Sequence, residues 1–192
     1  MPASPAEYVS QFAPREVSTE RRRLAWNAWA CVAALALVWM GLIVGAPVLA
    51  ARGHEAWAFV VYHGLGAVCH QMPERAFWLA GHPLGVCARC SGIYAGFTAA
   101  VLVYPLVVRG WRRAAAATTP RREWLIVALA PTAIDFTLGI TGMWANTHSS
   151  RAITGAWLGA WMAFYIVPGF VEIGQERMRR VRLNSFVNKQ EA

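Results

Sequence analysis

Residues 69–96 read CHQMPERAFWLAGHPLGVCARCSGIYAG. This polar stretch, carrying three of the chain's four cysteines, stands between long apolar blocks, and that setting decides the fold class. Cys87 and Cys90 form a CxxC pair, and Cys69 precedes them with His70 at its side. Soft ligands at this spacing, set against hydrophobic segments, describe a chemical site at the edge of a membrane domain.

Working outward, the apolar residues are not scattered. The 192-residue chain is 57% hydrophobic, and about 20 consecutive apolar residues cross a bilayer as a helix. Trp26–Ala51, Trp124–Trp144 and Ala152–Val171 meet that length, as does Val86–Val108 with Arg89 near its outer end. Trp57–Val68 is apolar but only about a dozen residues long, which suits a re-entrant or interfacial helix. The expected fold is therefore all-α: a polytopic integral membrane bundle of about four transmembrane helices plus one short re-entrant or interfacial helix. Residues 1–23 form a polar N-terminal segment, 24–174 the membrane domain and 175–192 a basic tail. The chain ends, to about Glu20 and beyond about Arg182, are expected to be poorly ordered.

Charge orients the bundle. With four spans and both termini cytoplasmic, every Lys and Arg falls inside except Arg52, Arg75, Arg89 and Arg151, as the positive-inside bias requires. A fifth crossing at Trp57–Val68 would move the Arg109–Arg122 cluster outside. The expected location is thus the plasma membrane, multi-pass, in contact with the lipid bilayer. The net charge of +8 reflects this topology and attraction to anionic lipid. No aromatic–basic recognition motif accompanies the arginines, so nucleic acid is not an expected partner. Val48-Leu49-Ala50 loosely resembles a signal cleavage site, but the apolar run before it is far longer than a signal core. Small residues recur every four positions at Ala88, Gly92, Gly96 and Ala100, at Gly155, Gly159 and Ala163, and at Gly41 and Gly45. Such stripes let helices approach closely in lipid.

Cys87 and Cys90 open a span, where unpaired backbone N–H groups and the positive dipole end favour thiolate. Three positions apart on a helix, they share a face. Three thiolates, or two with an imidazole, plus one more ligand would build a tetrahedral zinc site, with His70 or His82 as the fourth member. Two alternatives stand beside zinc: a disulfide or dithiol redox pair in an oxidising compartment, and inert buried thiols. In this register Arg89 points away from Cys87. Cys31, within the first span, reads as a small core residue.

Asp135 lies near the middle of its span, where an ionisable group is costly and faces a cavity or a partner. It pairs with Arg89 to brace the bundle, or it lines a functional site. The loop WANTHSSRAITG holds Asn146, His148, Ser149, Arg151 and Thr154. It reads either as a capped connection, with Ser149 or Ser150 capping the last helix, or as a source of polar groups, Asn146 and Arg151, for the same cavity as Asp135.

These residues together resemble a family of small bacterial and archaeal integral membrane proteins of unknown function. Its pattern is CHQ, then P-x-R-[ST]-F, then CARCTGIYxG, then an Asp in the next span and a downstream R-x-x-TG. The matching positions are Cys69, His70, Gln71, Pro73, Arg75, Phe77, Cys87, Arg89, Cys90, Gly92, Ile93, Tyr94 and Gly96, followed by Asp135, Asn146, Arg151, Thr154 and Gly155. Ser91, Ala76 and Gly85 depart from it without removing a candidate ligand. The resemblance covers about Tyr62 to Gly159 and implies the membrane class and the weight of the cysteine cluster, but no established reaction.

The leading expectation is a membrane protein with an outer-facing zinc site of Cys69, His70, Cys87 and Cys90. In its most specific form it is an enzyme on a lipid-linked or small anionic substrate. Arg75, Arg89 and Arg151 would attract the anion, and Asp135 would act as base or ligand. The alternatives are a thiol–disulfide redox protein using Cys87 and Cys90, and a transporter or assembly subunit with a structural metal, although no inverted repeat marks a transporter.

Overall fold

The computed structural model describes residues 5–107, 120–121 and 123–190. It is a helical bundle whose order is α1 (Pro5–Ala51), α2 (Glu55–Gly66), a 3-10 turn (Pro73–Arg75), β1 (Trp78–Leu79), β2 (His82–Pro83), α3 (Ala88–Val107), α4 (Trp124–Ile140) and α5 (His148–Gln190). Arg109, Arg112, Arg113 and Arg122, on which part of the orientation argument rests, lie outside the described residues.

Among the described residues three helical stretches are long and apolar enough to cross a membrane: Arg22–Ala51, Ala88–Val107 and His148–Arg177. The fourth expected span is shorter. Helix α4 has 17 residues, a rise of about 25 Å against a hydrocarbon core of about 30 Å. It stops at Ile140 rather than Trp144 because Gly142 adopts φ +71°, a left-handed turn that ends the helix. Helix α2 has 12 residues, too few for a span of about 20, and leaves Trp57, Phe59 and Val60 exposed. The backbone helices of α1 and α5 continue to Pro5 and Gln190, beyond the chain ends expected to be poorly ordered. Extending an existing helix costs little once the spanning part has nucleated it.

Helices α3 and α5 form the tightest seam. A Cβ built on Gly92 would stand 2.8 Å from Ala152 Cα, and one on Gly96 2.6 Å from Ala156 Cα. From the other side, a Cβ on Gly159 would reach 2.9 Å from Phe97 N. Only missing side chains permit such backbone contact. The pairing runs in ascending order on both helices, so α3 and α5 are parallel and their N-termini lie together. The third stripe behaves differently: Gly41 and Gly45 have nothing within 4 Å of an added Cβ. The apolar core lies among α1, α3 and α5, around Val32, Val101, Tyr104, Ala163 and Val167. Trp29 Nε1 ties α1 to α3 by donating to the Val101 carbonyl at 2.7 Å.

Candidate functional site

The segment between α2 and α3 is folded so that Cys69 returns to the CxxC pair. Beyond α2 the chain makes the Pro73–Arg75 turn and a two-residue hairpin in which Trp78 pairs with Pro83 and Leu79 with His82. Its turn residues, Ala80 at φ +51° and Gly81 at φ +81°, supply the two positive angles a tight hairpin needs. Gly85 N–H then donates to the Ile43 carbonyl of α1 at 3.2 Å, and Cys87 N–H donates to Cys69 Sγ at 3.3 Å. The result is a cluster in which the sulfurs of Cys69, Cys87 and Cys90 all lie within 4.8 Å of one another. Cys69 is buried and packs with Ile43, Leu65 and Val86.

Gln71 is the clamp of this loop, and sequence reasoning gave it no role. Its Nε2 donates to the Tyr62 and Gly85 carbonyls, each at 2.8 Å. It joins the end of α2, which precedes Cys69, to the strand end that precedes Cys87. Tyr62 adds a second tie through its hydroxyl, which donates to the Pro83 carbonyl at 2.5 Å. The Gln71 backbone is held at φ +50°, a left-handed conformation that costs a non-glycine residue about 1 kcal/mol. Its place directly after Cys69 and His70 was the one available signal.

Four ligands were expected, and the structure brings three together. His70 is exposed and outside the sulfur group, and His82 is half-buried and also outside it. Among the described residues no fourth His, Cys, Asp or Glu joins the three sulfurs. For zinc–sulfur bonds of about 2.3 Å, tetrahedral geometry sets sulfurs about 3.8 Å apart, so a small contraction of the cluster suffices. Cys87, just before α3, has its thiol pulled below the usual thiol range. The Cys90 side chain, hydrogen-bonded to it, is the main cause, helped by the Cys90 backbone, the Cys69 side chain and the Arg89 backbone against the opposing effect of burial. Such a thiolate is ready to bind a soft cation or to act as a nucleophile.

Arg89 turns to the opposite side of the same helical turn. Its guanidinium forms an ion pair with the Asp135 carboxylate of α4 and lies 5.3 Å from the centre of the Phe136 ring. Asp135 is buried, and Asn146 Nδ2 donates to its backbone carbonyl at 2.5 Å. Asp135 is thus joined to Arg89 and Asn146 and is outside the sulfur group. Arg151, one turn into α5, is half-buried. Thr147, rather than Ser149 or Ser150, caps α5: its Oγ1 accepts from Ser150 N–H at 3.1 Å. The helix begins one residue before Ser149, so the threonine occupies the capping position. His148 Nε2–H donates to the Glu74 carbonyl at 3.1 Å and its ring stands 5.8 Å from Phe77, which fastens the loop after Cys69 to the start of α5.

A family model described as "Predicted membrane protein (DUF2085)" matches residues 69–165. The chain is similar to an uncharacterised protein of Methanocaldococcus jannaschii, 36% identical over 133 residues, 67% of this chain and 83% of that protein. It is also similar to an uncharacterised protein of Methanothermobacter thermautotrophicus, 34% identical over 97 residues, 50% of this chain and 81% of that protein. No solved structure matches.

Proposed function

The chain belongs to the family of predicted membrane proteins (DUF2085), and from that premise we propose that it is a plasma-membrane metalloprotein whose Cys69, Cys87 and Cys90 hold a zinc ion. The observation that carries this reading is the convergence of three sulfurs within 4.8 Å from two segments separated by a hairpin. Zinc sites that do chemistry use three protein ligands and leave the fourth position to water or substrate, whereas structural sites are closed by a fourth side chain. With three sulfurs grouped and His70 outside, the open form is favoured. His70 is the residue that would close the site.

In the open form a bound zinc would supply Lewis acidity, and the protein would be an enzyme on a lipid-linked or small anionic substrate. Arg89 and Arg151 would hold the anion, with Arg75 on the exposed loop before them, and Asp135 would fix the Arg89 fork. The proposed topology has four crossings, α4 being the short third, with both termini cytoplasmic and the cysteine cluster on the outer side.

Elemental analysis of the purified protein beside a free-thiol count tests the proposal. One zinc per chain with three thiols protected from alkylation until chelator is added is the expected result. Metal-free protein with Cys87 and Cys90 joined in a disulfide would replace it by the redox reading, which the lowered Cys87 thiol favours. Zinc content unchanged in His70→Ala supports the open form; its loss indicates a closed one.

A further inference from the structure

Opposite the thiolates, around the Arg89–Asp135 pair, the polar groups do not balance. Arg89 and Arg151 contribute two positive charges and Asp135 one negative. Arg89 Nε, Arg151 Nε and Asn146 Oδ1 are all buried without a hydrogen-bond partner. Among the described residues Arg89 pairs with Asp135, and Arg151 forms no ion pair. An unpaired guanidinium nitrogen shielded from water costs free energy unless something arrives to accept from it.

The helices that carry these groups meet in one region. Arg89 and Asn146 both bond to Asp135. Arg151 stands one turn before Gly155 on the same face of α5, and Gly155 is where the Arg89 carbonyl lies against that helix. Thr132 of α4 donates to the Thr154 carbonyl of α5 at 2.8 Å, so all three helices meet here. The parallel N-termini of α3 and α5 add positive potential of the same sign. The Arg89 side chain is 20% exposed, which leaves a way in.

We propose that this polar cluster binds an oxyanion of single negative charge, a carboxylate or a phosphodiester oxygen, between Arg89 and Arg151, as a site separate from the metal centre. One such charge neutralises the cluster. The guanidinium forks donate to its oxygens, while Asn146 Oδ1 accepts from a hydroxyl or water accompanying it. The proposal deepens the reading of an anionic substrate, yet it does not depend on zinc. It also assigns Asp135 a positioning part: the carboxylate holds one edge of Arg89 and leaves Nε for the ligand.

The test is thermal unfolding of the full chain in uncharged maltoside detergent, followed by tryptophan fluorescence, with zinc content measured on the same samples. Sodium acetate, sodium phosphate and short-chain phosphatidylglycerol are each titrated against sodium chloride at equal ionic strength. The midpoint should rise by several degrees, growing with the logarithm of anion concentration. Arg151→Met should melt no lower than wild type in chloride, having lost a half-buried guanidinium whose buried Nε has no partner, but its response should weaken at least tenfold in concentration. Arg151→Lys should fall between. Response to acetate or phosphate assigns a soluble anion, and response to phosphatidylglycerol alone a lipid headgroup; both support the site. No anion effect beyond chloride, or equal responses in wild type and Arg151→Met, overturns it. Zinc lost with the anion response intact would instead remove the metal reading and leave this one standing.

Discussion

Replacing Gln71 with methionine keeps the side chain's length and apolar stem but removes its amide. Two hydrogen bonds are lost, to the Tyr62 and Gly85 carbonyls at 2.8 Å each. Each is worth about 1 kcal/mol net, and the buried Gly85 acceptor left without a donor raises that toward the upper end of about 1–3 kcal/mol. The expected total is about 2–3 kcal/mol. It falls on the loop that brings Cys69 to the other two sulfurs, so it is subtracted from metal binding, because the site exists only when that loop is folded. At about 1.4 kcal/mol per factor of ten, zinc affinity should drop roughly 30- to 100-fold, within the range for residues that support a ligand without touching the metal. The backbone supplies an internal control. Gln71 sits at φ +50°, so Gln71→Gly removes about 1 kcal/mol of strain that Gln71→Ala retains, while both lose the same bonds. Competition with a chromophoric chelator on purified protein measures all three variants. Affinity should fall in the order wild type, Gly, Ala. Gln71→Met within about twofold of wild type, or Ala binding more tightly than Gly, would refute the clamp.

Four further outcomes follow from the same geometry. Serine at any one of Cys69, Cys87 and Cys90 should release most of the metal and lower folded yield, and full retention in all three single variants would exclude a shared ion. Asp135→Asn should leave metal content near normal but abolish complementation of a deletion strain, and the Arg89→Gln, Asp135→Asn pair should fail as well; wild-type complementation by the pair would reduce this ion pair to scaffolding. Gly159→Val should cost about 3 kcal/mol or more of stability as α3 is pushed off α5, whereas Gly41→Ala, with open space around it, should be neutral; similar melting shifts for both would contradict the seam. Single-cysteine labelling of intact cells with an impermeant reagent should mark position 80 and spare position 115, and the reverse pattern would invert the proposed orientation.

Much of this was legible in the sequence because membrane helices advertise themselves through length. Arg89 was separable from its neighbouring cysteines by register alone, since two residues on a helix turn by about 200°. The small-residue stripes illustrate the limit. Those on α3 and α5 mark a real seam, while Gly41 and Gly45 carry the same spacing and touch nothing. A stripe states that a backbone could come close, not which one does. The Ala80–Gly81 turn escaped notice because alanine is a poor signal for a positive φ; the surrounding pairing imposes it. Gln71 escaped for a related reason: its role lies in where two remote carbonyls end up.

The CARC segment would tie the proposed metal site to the proposed anion site. Cys87 and Cys90 face α1 and the α2 loop, Arg89 faces α4, and the Arg89 carbonyl rests against Gly155 of α5. One helical turn therefore forms a wall of both sites. Its backbone is pinned on the α5 side by contact that leaves no room for a methyl group, so it cannot shift to suit one site without disturbing the other. On the thiolate side the pinning is weaker: a sulfur-accepted N–H bond at 3.3 Å and the Gln71 clamp. Metal binding would supply the missing restraint there. The energy released by closing the three thiolates around an ion would then hold Arg89 at the depth where its fork reaches Asp135, and would order the anion site through a shared backbone rather than through any contact between the two ligands.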